Sequence, residues 1–100
     1  MVHEKIFTVP AGGQVKIIVR GYFSYKQALI GPFIEIWVKQ YMQANFSNPG
    51  ELNLPRYGSL EKDSHVNIRE LAVRASGITN EQFDQVISEF DQITRSSVLF

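Results

Sequence analysis

The apolar positions change period along the chain, and that change divides it into two parts. Ile6-Phe7-Thr8-Val9 is a short β-branched and aromatic run that stops at Pro10-Ala11-Gly12-Gly13. Gln14 to Ser24 follows, with Val15, Ile17 and Val19 on one side of an alternation and Lys16, Ile18 and Arg20 on the other. Two strand-like runs separated by a glycine turn predict an N-terminal β-hairpin with one buried face.

From Gly31 the step lengthens. Phe33, Ile36, Trp37, Gln40, Tyr41 and Ala44 recur at three- and four-residue steps, which predicts a helix over 32–46. Pro32 suits its first position, where the missing N–H is not needed and φ is already helical. Ile34 to Lys39 would also serve as an alternating strand, but the helix-compatible run from Gln40 to Asn45 tips the reading. Asn48-Pro49-Gly50-Glu51 then reads as a turn.

The last third carries local helix punctuation. Ile68, Leu71, Ala72 and Ala75 form a helical stripe that ends at Gly77, a residue suited to a left-handed C-cap. Thr79 with Gln82 three residues on is a capping box for a second helix, expected to bury Phe83, Val86, Ile87, Phe90 and Ile93. The expected fold is therefore a single compact α+β domain over residues 1–100. It has an N-terminal β-hairpin, with room for a third strand, packed against about three α-helices and ending in an αα-hairpin.

Composition narrows the function more than the fold. At 44% apolar residues the chain can bury a core, and with no cysteine it has neither a disulfide framework nor a thiolate site. Ten basic and ten acidic side chains cancel overall, but not locally. Residues 1–58 hold six basic and three acidic residues, whereas residues 59–100 hold four basic and seven acidic. Any polyanion contact therefore belongs to the hairpin half, and unlike halves of two copies attract each other. The start of the chain lacks the apolar run of a signal peptide. The most lipid-like stretch, Ala28 to Val38, is eleven residues long and includes Pro32 and Glu35. A span needs about 20 apolar residues, so no membrane segment is expected and the cytoplasm is the default location.

Three function classes follow, in descending order of support. Nine of the twelve aromatic residues lie in the first 57 positions, and the expected 32–46 helix is apolar on more than one side. Such a helix is either central to its fold or shared with a second molecule. The leading expectation is a non-enzymatic interaction or assembly module, a homodimer or a subunit of a complex, with Phe33, Trp37, Tyr41 and Met42 as its interface. The alternative is a binder of single-stranded nucleic acid or aromatic ligands through Arg20, Tyr22, Tyr25 and Lys26, where rings and cations interleave on a strand. The third is a small enzyme built on His65 with Asp63 or Glu61, for which no substrate class is indicated. Asp63 or Ser64 is better explained as a helix N-cap, and the spacing around His65 matches no standard metal pattern, so no catalytic residue, metal or cofactor is assigned. The helix-turn-helix reading of Ile68 to Asp91 fails on charge. The would-be recognition helix carries Glu81, Asp84, Glu89 and Asp91, with no basic residue between Asn80 and Thr94.

Overall fold

A computed structural model describes residues 2–23, 29–53, 69–70, 72–74 and 76–98. Four strands, β1 (Val2–Thr8), β2 (Gln14–Phe23), β3 (Leu29–Lys39) and β4 (Ser47–Asn53), form one antiparallel sheet in the order β1-β2-β3-β4. Helical residues within 69–76 (α1) and the 19-residue helix α2 (Asn80–Val98) complete the described chain. The architecture is α+β, but among the described residues it is a four-stranded meander with two helices, one of them long. The expected hairpin on about three helices, ending in an αα-hairpin, is corrected accordingly.

The N-terminal hairpin pairs Phe7 with Val15, Lys5 with Ile17 and His3 with Val19. Its turn is closed by the Gly12 N–H donating to the Val9 carbonyl at 2.9 Å, and Gly12 takes a φ of 91° that suits a residue without a Cβ.

The largest correction concerns residues 33–46. Ile34, Ile36 and Val38 alternate with Glu35, Trp37 and Lys39 along β3, and they pair in register with Val19, Ile17 and Val15 of β2. These β-branched residues are stiff at χ1 and fit a pleated surface better than a helix, and here they meet apolar partners across the ladder. Pro32 lies where the β2–β3 register shifts, between Arg20 and Tyr22, so its missing N–H costs the ladder little. The chain then turns through residues 40–46 instead of continuing as a helix. The stretch 48–51, expected as a turn, is part of β4, where Pro49 falls at the shift of the β3–β4 register between Ile36 and Val38.

The sheet has two unlike faces. Phe7, Val15, Ile17, Val19, Ile34 and Ile36 are buried on one of them. Helix α2 lies against β1 and β2 and closes this face with Phe83, Val86 and Phe90, joined in the core cluster by Ala72 and Ile78. The local signals that orient α2 are all present. Gly77 takes a φ of 81°, its N–H donates to the Val73 carbonyl at 2.9 Å, and Ile78 just after it is buried. The Thr79 hydroxyl accepts from the Gln82 N–H at 3.1 Å while the Gln82 side chain accepts from the Thr79 N–H at 2.9 Å. One member of the expected stripe differs: Ile93 is 38% exposed, and Thr94 takes the buried position, its hydroxyl donating to the Asp91 carbonyl at 2.8 Å.

Candidate functional site

The second face of the sheet is where chemistry-bearing side chains collect. β1 contributes Val2, Glu4 and Ile6, β2 contributes Lys16, Ile18 and Arg20, and β3 contributes Phe33, Glu35, Trp37 and Lys39, since alternate residues share a face. Lys16 is directly opposite Trp37 in the ladder, and its Nζ lies 5.5 Å from the Trp37 ring and 4.7 Å from the Phe46 ring. The Lys39 Nζ lies 6.0 Å from the same Phe46 ring. A cation over a ring face is worth about 0.5–1 kcal/mol at exposed sites, so the rings favour both ammonium groups at this place. The Trp37 Nε1 is buried and has no hydrogen-bond partner among the described residues. Farther along, the Arg20 Nε donates to the Glu35 carboxylate, which neutralises both charges.

The structure splits the residues expected to form one interface. Phe33 and Trp37 share the second face on β3, half-buried, because residues four apart fall on one side of a strand as they do on a helix. Tyr41 and Met42 are instead in the β3–β4 turn, 70% and 87% exposed, with Met42 at a φ of 74°. Of the alternative ligand face, Arg20 is exposed but ion-paired, and Tyr22 has its backbone paired with Ile30 at the end of β2. The Tyr22 side chain, Tyr25, Lys26, Glu61, Asp63 and His65 lie outside the described residues. Sequence reasoning missed Lys16, Lys39 and Phe46. The alternation of Lys16 with Val15 and Ile17 placed it on the polar face, but its neighbours there depended on reading β3 as a strand.

The two edges of the sheet differ in the same way as its faces. β4 carries Pro49, which cannot donate to a further strand. β1 has no proline and no register shift along Val2–Thr8, and no strand pairs with its outer side among the described residues. Val2 and Ile6, at 56% and 48% exposure, stand on the face opposite the core. On its other face, His3 and Lys5 meet α2. Lys5 Nζ donates to Glu89 at 3.0 and 3.2 Å, and His3 Nε2 lies 3.1 Å from the same carboxylate. These contacts, Lys5 first and His3 second, hold the Glu89 carboxyl below its ordinary value of 4.5. A depressed folded-state value gives stability that is present above pH 4.5 and lost as pH falls through the folded value. Glu89→Gln should therefore flatten the acid limb of stability below pH 4.5, read as urea midpoints between neutral and acid pH. An acid limb as steep as that of the wild type would contradict this assignment.

Where the β1–β2 turn meets the β3–β4 turn, the end of the sheet is hollowed into an open cleft of about 330 Å³. Gly12 and Gly13 floor it, and Thr8, Gln14, Lys39, Gln40, Tyr41 and Gln43 stand around it with Met42. No family model, curated protein or solved structure matches this chain.

Proposed function

We propose that this domain is a self-associating assembly module, in which two copies pair β1 against β1 and join their sheets. The observation that supports this reading is the outer side of β1, which no strand covers among the described residues, with Val2 and Ile6 exposed beside it. A row of unpaired backbone groups is a template for another strand, and proteins that must stay monomeric usually blunt it. The strand also sets its own register. Antiparallel pairing about an axis through the sheet keeps each face aligned and matches residues symmetrically about the centre. Centring on Lys5 or Glu4 would set like charges directly opposite each other, which is destabilising. Centring on Ile6 pairs Ile6 with Ile6, Lys5 with Phe7 and Glu4 with Thr8. That register places apolar surface on the axis and keeps like charges apart. Nucleic-acid binding has less support, because Arg20 is spent on Glu35 and the Lys16 ammonium occupies the faces a base would stack on.

A five-residue strand contact is a small interface, so a dissociation constant on the order of 10–100 μM is expected. Sedimentation equilibrium from about 5 to 500 μM spans that range. The wild type should pass from monomer to dimer, and Ile6→Lys should remain monomeric with its folding stability nearly unchanged. A wild type that stays monomeric throughout the range would refute self-association.

A further inference from the structure

We infer that the cleft at the turn end of the sheet is a binding site for neutral saccharides. Its walls have an unusual chemical balance. Thr8, Gln14 and Gln40 present side-chain hydroxyl and amide groups with no partner among the described residues, no carboxylate is among the lining residues, and the one charged side chain there, Lys39, has its ammonium 6.0 Å from the Phe46 ring, which lies outside the cleft. The Gln43 carbonyl oxygen is spent on the Gln40 backbone N–H at 2.7 Å, which fixes the amide and leaves its NH₂ as a double donor. Amides and hydroxyls both donate and accept, and so does each sugar hydroxyl, so the two sets satisfy each other without an ion pair. Cations find no anionic ligand here, and a purely apolar guest would strand these groups.

The one large ring at the cleft is Tyr41, 70% exposed. Its Cδ2 lies 3.1 Å from where a Cβ on Gly12 would stand, so the glycine gives the ring a seat at one side while most of it remains open. A pyranose presents an apolar C–H face and an equatorial rim of hydroxyls, which matches an aromatic platform bordered by amides. The turn is built to hold this arrangement. The Gln43 N–H donates to the Gln40 carbonyl at 3.0 Å, and Met42 bears the positive φ that allows it. A non-glycine residue in that conformation costs about 1–2 kcal/mol, and such outliers concentrate at binding sites. A cleft of about 330 Å³ accommodates one or two hexose units and lies at the small end of ligand-site volumes.

The test is a titration of ¹⁵N-labelled full chain with cellobiose, followed by amide shifts, with adenosine monophosphate as a second probe. Cellobiose to about 20 mM should move the Gly12, Gly13 and Tyr41–Gln43 amides saturably. Tyr41→Ala should weaken the binding about five- to tenfold, whereas Tyr41→Phe should retain it. Tyr41 is exposed, so unchanged spectra elsewhere establish that both variants fold. No saturable shift with cellobiose, equal binding by Tyr41→Ala, or binding of the nucleotide in place of the sugar would each overturn the assignment.

Discussion

Phe83→Ala is expected to destabilise the domain by about 3–5 kcal/mol, a large fraction of what a 100-residue chain has to lose. Phe83 is the first core residue of α2 and is fully buried against the sheet. It enters the helix one turn after the capping box, and its N–H donates to the Thr79 carbonyl at 3.1 Å. Truncation removes the ring from water-free surroundings and leaves a cavity between α2 and the β1–β2 half that the rigid sheet cannot close. Among the described strands the helix packs on β1 and β2, and its docking there rests on Phe83, Val86 and Phe90. Urea unfolding, with the slope compared between variants, reads the loss. A cost below about 1 kcal/mol would mean that α2 is not an integral layer of the core.

Gly13→Ala should cost about 1–3 kcal/mol for a different reason, the collision of two backbones. A Cβ on Gly13 would stand 2.6 Å from the Lys39 carbonyl oxygen and 3.3 Å from the Gln40 Cα. Neither neighbour is the free end of a side chain. The start of β2 and the end of β3 would have to separate, and with them the two turns that form the cleft. The same substitution should therefore perturb amide shifts at 39–43, across the sheet from the mutated residue. A variant as stable as the wild type, with unchanged shifts there, would show that the turns do not approach so closely.

How much of this was legible in the sequence depended on whether the deciding information was local. Gly77, Ile78 and the Thr79–Gln82 pair specify the entry to α2 within a few residues, and Phe83, Val86 and Phe90 mark its buried stripe. The β1–β2 hairpin was equally local, with Gly12 supplying its turn. β3 was not. Phe33 and Trp37, four apart, lie on one face of either a helix or a strand, and Tyr41 extended the series to favour the helix. The strand prevailed because Val15, Ile17 and Val19 of β2 needed partners, and Ile34, Ile36 and Val38 supply them across the ladder. β1 begins earlier than its apolar run because His3 and Lys5 are compensated by Glu89, a residue at the far end of the sequence. Pro49-Gly50 looked like a turn because the register shift that tolerates Pro49 is a property of the sheet, not of the dipeptide. The candidate site inherits these limits. Phe33 and Trp37 were identified together, whereas Lys16, Phe46 and the β1 edge emerge only once the register is known.

Self-association through β1 is tested most directly with single cysteines, which the cysteine-free chain makes clean to interpret. Residues directly opposite in an antiparallel pair have Cα atoms about 4.5–5.5 Å apart, within disulfide reach. Thr8 of two copies would be about 14 Å apart in the same register, out of reach. Under mild oxidation at concentrations where the wild type dimerises, Ile6→Cys should be captured as a disulfide-linked dimer and Thr8→Cys should remain reduced. Cross-linking at position 6 no faster than at position 8 would contradict the proposed pairing.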